Sequence, residues 1–184
     1  YADQVVTRQK ATVNAASLSA ALQGKLATAG SDVKATLSVA DLSALGAGYR
    51  GALTAETTFT GTADAGRLMA KATGSRLAIG QTEADRLLAG ETQLSADLDL
   101  ADGQIRIKSA QISNPQLRAD AKGTVAGNQR QIDLTAEIVN LATVLPPFPG
   151  RLAIIGKAVD NGQGYALDLG LRGLDGFRVL RVAL

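Results

Sequence analysis

Four times along this chain a two-residue turn dipeptide separates two stretches of alternating apolar and polar residues. Each time the implied pairing gathers the apolar side chains of both stretches on one face. Around Asp102-Gly103, Leu100 is set opposite Ile105 and Leu98 opposite Ile107. Around Gly127-Asn128, Leu117 meets Ile138, Ala119 meets Ala136, Ala121 meets Leu134 and Gly123 meets Ile132. Around Asn161-Gly162, Ala158 meets Tyr165, Gly156 meets Leu167, Ile154 meets Leu169 and Leu152 meets Leu171. Around Asp175-Gly176, Leu171 meets Leu180, Leu169 meets Val182 and Leu167 meets Leu184. Asn-Gly and Asp-Gly suit type I′ turns, whose two central residues both need positive φ, and Gly-first pairs suit type II′. A one-residue slip would exchange the two faces, so the alternation itself fixes which side is oily. Gly30-Ser31 predicts a fifth hairpin, with Leu26 opposite Ala35, Gly24 opposite Leu37 and Leu22 opposite Val39. Asp64-Ala65 predicts a sixth, with Gly61 opposite Leu68, Phe59 opposite Ala70 and Thr57 opposite Ala72. The expected fold is all-β: a long, strongly curved antiparallel meander.

The reverse faces carry Lys25, Lys34, Asp97, Asp99, Arg106, Lys108, Arg118, Lys122, Asp133 and Glu137, and are therefore wet. Nineteen basic and seventeen acidic residues are scattered along them, leaving a formal charge of +2. Nucleic-acid binding calls for clustered Lys and Arg interleaved with aromatics, and neither is present. No His and no Cys remove the common nucleophile–base pairs, most transition-metal sites and any disulfide frame. Gly150 to Gly156-Lys157-Ala158 has the wrong spacing for a phosphate loop and lacks the hydroxyl after the lysine. Asp97, Asp99 and Asp102 break calcium-loop spacing and read more simply as a wet strand face and its turn. No enzyme, cofactor or metal is expected. No apolar run approaches the ~18 residues of a membrane helix, and the chain is read as an internal segment of a longer protein.

Two stretches match without gaps at an offset of 99 residues. Val39-Ala40-Asp41-Leu42-Ser43-Ala44-Leu45 and then Gly51–Ala55 align with Ile138–Val144 and then Gly150–Ile154. Asp85–Gly90 reads as a looser copy between them. The expected organisation is one elongated β-repeat segment, with units near 1–50, 51–90, 91–149 and 150–184. Short helical turns fit the joints: Asp41 as an N-cap ahead of Gly46, and a Thr82/Asp85 capping box ahead of Leu87-Leu88 with Gly90 as the stop. Glu83 and Asp85 suit a helix's first turn. Pro146-Pro147-Phe148-Pro149 is expected to cross in extended form, and residues 1–16 fit helix and strand alike.

An oily sheet face must close on itself, receive a second sheet, or curl around something apolar. Its large residues are Leu37, Leu53, Phe59, Leu98, Leu100, Ile105, Ile107, Leu117, Ile132, Leu134, Ile138, Leu152, Ile154, Leu167 and Leu169, the candidate lining of a lipid groove. Between them lie Gly24, Ala35, Ala70, Ala72, Ala96, Ala119, Ala121, Gly123, Ala136, Gly156 and Ala158. Aromatics are 3% of the chain and Trp is absent. Closed cores reach crystal-like density by interlocking large side chains, so this lining is expected to leave room. A closed β-sandwich or solenoid, in which the small residues permit close sheet approach, stays open as the alternative.

The run Leu87–Ile107, continuing through Ile112–Val125, with its short strands, small residues and Asp-Leu joints, resembles the TamB family. These are inner-membrane components of translocation and assembly modules, related to AsmA-like repeat and bridge-like lipid-transfer proteins. The resemblance implies an open trough (a β-taco) with a hydrophobic groove, in the periplasm of a Gram-negative cell. It further implies an inner-membrane anchor outside this segment, and the outer-membrane barrel TamA as a partner of the parent protein. The implied role is outer membrane biogenesis: lipid transport, by shielding phospholipid acyl chains, and assembly or protein secretion of outer-membrane β-barrels and autotransporters. The alternative is a chaperone-like scaffold that binds β-strands of nascent outer-membrane proteins by strand addition.

Overall fold

In the computed structural model the described residues are 6–27, 30–62, 64–127, 129–160, 165–173 and 180–183, with the backbone alone at 6–9, 26, 165, 167 and 180–183. Twelve strands form a single sheet in which every strand pairs antiparallel with its sequence neighbours. They are β1 Val6–Ala15, β2 Leu18–Leu26, β3 Ser31–Val39, β4 Arg50–Gly61, β5 Ala65–Ala78 and β6 Glu91–Ala101, then β7 Gln104–Ser113, β8 Leu117–Ala126, β9 Gln129–Ile138, β10 Leu152–Asp160, β11 Tyr165–Gly173 and β12 Leu180–Ala183. The sheet is an open, curved meander trough that does not close into a barrel. The N-terminal stretch, ambiguous in sequence, is a strand from Val6 onward.

Three hairpin registers match the sequence arithmetic. Leu100 faces Ile105 and Leu98 faces Ile107 across Asp102 (φ 51°) and Gly103 (φ 72°), the positive pair that a type I′ turn requires. All four β8–β9 pairs fall as expected. Leu171 faces Leu180 and Leu169 faces Val182, whereas Leu184 and the Asp175-Gly176 turn lie outside the described residues. Three other registers differ. Gly61 faces Gly66 and Phe59 faces Leu68, two positions from the expected pairing. Ile154 faces Leu171 and Ala158 faces Leu167, again displaced by two. Leu22 faces Ala35 and Leu18 faces Val39, displaced by four. The cause is loop length. Thr62 and Ala65 exchange hydrogen bonds around a longer β4–β5 connection, Gly30 N–H donates to Ala27 O, and residues 161–164 separate β10 from β11. Every displacement is an even number, so each apolar set stays on its expected face.

Strand connections alternate between two margins. Tight hairpins lie along one. Along the other lie a 3₁₀ turn Leu42–Leu45, a helix α1 Thr82–Leu87, and a second 3₁₀ turn Leu141–Thr143. The 99-residue repeat is visible here. Asp41 and Asn140 each cap their turn by accepting from the N–H two residues on, Ser43 at 2.9 Å and Ala142 at 3.1 Å. At α1 the expected capping box does not form. Gln81 is the N-cap and Thr82 is already helical, while Asp85 Oδ1 reaches back to accept from Ile79 N–H at 2.7 Å. Pro146–Pro149 is irregular as expected but folded rather than extended, since Phe148 N–H donates to Leu145 O.

The outer face carries cross-strand ion pairs: Arg67 with Asp97 through two hydrogen bonds, Lys108 with Asp99 at 2.8 Å, and Arg151 with Glu137 at 3.6 Å. The Arg67 hydrogen bond holds the Asp97 carboxyl below its ordinary pKa and raises that of the guanidinium. These pairs are exposed and screened by salt, so they fix register more than they stabilise.

The two repeat caps differ in one testable respect. The Ser43 backbone N–H, with help from its side chain, holds Asp41 below the ordinary aspartate pKa. Its capping contribution is therefore complete above the unfolded value and is lost as pH falls through the lowered one. We expect the Ser43 amide resonance to move with that titration in NMR spectra, and the Ala142 amide, capped by an amide side chain, to stay still.

Candidate apolar groove

Only Val39, at 2% exposure, and Ile138, at 8%, are buried large hydrophobics among the described residues. A twelve-stranded sheet with so little interior is not a closed sandwich. Of the expected lining, Leu37, Leu53, Phe59, Leu98, Leu100, Ile107, Leu117, Ile132, Leu134, Leu152, Ile154 and Leu169 are half-buried on the inner rows. Ile105 is exposed, Ile138 is buried, and Leu167 falls on the inner row opposite Ala158.

The apolar hollow is narrower than that list. It has a volume of about 450 Å³ and crosses six strands, β4 to β9. Cross-strand rows build its floor. Ala70, Ala96, Ala110, Ala121 and Leu134 form one, and Ala55, Ala72, Leu94, Ile112 and Ala119 form the other. Of the expected lining only Leu134 borders this hollow, while Leu37 and Ile154 border two others that open mainly on the outer face. Those outer hollows are edged by hydroxyls, amides and charges such as Thr36, Ser38, Glu56, Arg118 and Asp120.

Leu94, Ile112 and Ala110 were not among the expected groove residues. Leu94 continues the alternation of Leu100, Leu98 and Ala96, and the signal for the other two is a break in it: Ile105 and Ile107 are followed by Ala110 and Ile112, not Ser109 and Gln111. A bulge at Lys108-Ser109 causes it, with Ile107 facing Gly123 but Ala110 facing Ala121. Past the bulge, Ser95, Gln111 and Asp120 hydrogen-bond in series on the outer face.

The small residues divide by kind. Alanines leave the hollow open, whereas glycines do not make room, contrary to expectation. A Cβ at Gly123 would land on the Gln131 carbonyl of the paired strand, and one at Gly24 on that of Asp32. At Gly156 the Leu169 side chain already occupies the space, at Gly66 the Phe59 ring, and at Gly74 Leu77. Gly123→Ala should therefore destabilise the sheet by about 1–3 kcal/mol in chemical denaturation, while Ala121→Gly, opening onto the hollow, should cost less.

Two charges fall on the inner rows, Arg130 and its cross-strand partner Asp160, 3.2 Å apart at the hairpin margin. Asp160 is 8% exposed. Sequence reasoning missed the pair because it forms between β9 and β10, which are joined by the long connection 139–151 and not by a short turn that would reveal their register.

Inner positions beside the joint margin are covered, although the connections themselves expose Leu45, Tyr49, Ile79, Leu145 and Phe148. Val39, Gly74, Thr92, Asn114 and Ile138, all at inner positions, are buried, while the outer neighbours Ser38, Thr73, Gln93 and Ser113 remain exposed. The helical joints therefore fold over the inner face. Asn114 secures this: Nδ2 donates to Leu87 O at 2.7 Å and Thr92 Oγ1 at 3.2 Å, and Oδ1 accepts from Gln116 and Leu117 N–H. Thr143 Oγ1 donates to Gln116 Oε1, and Val139 N–H to Gln116 O, linking the next joint. Asn114→Ala would leave these part-buried groups without their partner, at a cost of about 1–3 kcal/mol. Hydrogen exchange should show the loss first in α1.

No known family model, curated protein or solved structure matches the chain. Among the described residues, no cluster of acidic side chains could hold a metal ion, and no helix is long and apolar enough to cross a membrane.

Proposed function

We propose that this chain is a periplasmic segment of an inner-membrane-anchored, envelope-spanning protein of the TamB type. Its groove shields phospholipid acyl chains on their way to the outer membrane. The observation that carries this reading is the open, alanine-floored hollow of about 450 Å³ on an otherwise unpartnered apolar face. Such a floor gives no directional contacts. It offers surface from which hydrocarbon displaces water, at about 0.8 kcal/mol for each methylene fully covered. A chain lying half-covered over ten methylenes would gain about 4 kcal/mol, enough to hold a lipid and too little to trap it. That balance suits passive movement along a trough. The sequence resemblance supports the compartment, the anchor, and TamA or nascent outer-membrane proteins as partners of the parent.

Native mass spectrometry of the purified chain should find co-purified phospholipid. In the Leu98→Asp, Ile107→Asp, Leu134→Asp triple variant that occupancy should be lost, with the β-sheet circular dichroism retained. A photocrosslinker at Leu100 that captures peptide and no lipid would instead favour the strand-binding scaffold, and no adduct of either kind would defeat both.

A further inference from the structure

The connections of the joint margin hold large apolar side chains in water. Leu45, Tyr49, Ile79, Leu145 and Phe148 are exposed there, at least one on each of the three helical joints. Of the three aromatic side chains among the described residues, only Phe59 lies on the inner face. Tyr49 is 47% exposed and Phe148 49%, and the two occupy the same position of the 99-residue repeat. Each is followed within three residues by an exposed arginine, Arg50 and Arg151. Aromatics are 3% of this chain, and two of them stand at equivalent sites where neither fills a core. The rim they mark is continuous. A Cβ at Gly80 would meet Gly48, one at Gly90 would touch Pro115, and Thr143 hydrogen-bonds Gln116. Its first and last joints are six strand spacings apart, about 30 Å of sheet.

The basic side chains on and beside these connections are arginines: Arg50, Arg76, Arg86, Arg118 and Arg151, all exposed. Arg76 sits at φ 52° in a bulge where it and Leu77 together oppose Gly51. Leu77 turns inward over Gly74, and Arg76 stays in solvent. Acids share the rim, namely Asp41, Glu83, Asp85, Glu91 and Glu137, so formal charges balance and attraction at a distance is weak. Asp41 and Asp85 accept from the Ser43 and Ile79 N–H groups, and Glu137 pairs with Arg151. The guanidiniums of Arg50, Arg76, Arg86 and Arg118 have no partner among the described residues. Such a guanidinium suits a phosphate, which it can bond in bidentate fashion.

We infer that this rim is a membrane-docking edge: the exposed apolar side chains of the joints insert shallowly into a phospholipid surface while the arginines bond its phosphates. A protein partner is the weaker fit. Binding energy between proteins concentrates in a central, well-packed cluster, whereas these apolar side chains stand on separate connections with polar residues between them. Because the rim's charges balance, contact interactions decide, and a zwitterionic bilayer is sufficient. The inference does not depend on the acyl-groove reading.

Flotation of the intact chain with phosphatidylcholine vesicles tests it. The chain should float with them, and adding phosphatidylglycerol should change the bound fraction by less than about twofold. Tyr49→Ser with Phe148→Ser should weaken binding about tenfold, with circular dichroism unchanged. Ile155→Ser, at an exposed outer-face position away from the rim, should leave binding as it was. Equal loss in both variants would overturn the rim. The Leu98→Asp, Ile107→Asp, Leu134→Asp variant should still float. Flotation lost there but kept in the Tyr49→Ser, Phe148→Ser variant would overturn the rim and leave the groove intact. Flotation only with phosphatidylglycerol, or with neither vesicle, would overturn the inference, the last result favouring a protein on this edge.

Discussion

Every strand in this molecule pairs only with the strands immediately before and after it in sequence, so the sheet depends on backbone ladders between neighbours rather than on a common interior. A sheet held this way needs no second layer. The two buried large hydrophobics among the described residues would not sustain a closed sandwich of this size, but they suffice to pin joints at one edge. The ladders leave the inner face unclaimed along the middle strands. Repeat proteins commonly have this economy, in which stability is approximately a sum over adjacent units.

Face assignment was legible in the sequence because period-2 alternation survives any even register shift. That is why Phe59, Ile154 and Leu37 stand on the inner side although their partners differ from expectation. Exact partners were legible at Asp102-Gly103, where a two-residue turn sets them. Tempting dipeptides at Gly30-Ser31 and Asp64-Ala65 stand at the ends of longer connections, with Ser31 and Ala65 already in the next strand, and a dipeptide alone does not reveal loop length. The joints at Asp41 and Asn140 were legible because a short side chain that caps a turn leaves a local pattern.

The groove itself was harder to read. Large aliphatics announce a face, but space is made by what is missing, and here alanine and glycine behave differently. Gly123 and Gly24 answer to close backbone approach, and Gly156 to a neighbouring leucine. Only the alanine rows answer to vacancy. Their alignment across six strands depends on the Lys108-Ser109 bulge, which resets alternation halfway along β7. Asn114 shows the same limit: nothing local distinguishes it from a turn asparagine, and its hold on α1 spans 27 residues of chain.

The repeated joint carries a consequence for how such a molecule can change over time. Adding or deleting one hairpin would move the trough's end by two strand spacings, about 10 Å, and leave its cross-section untouched. Reach is thus counted in copies of a module, while bore is written in a handful of side chains. Duplication can therefore alter the length of the sheet without disturbing its cross-section, and point substitution can do the reverse.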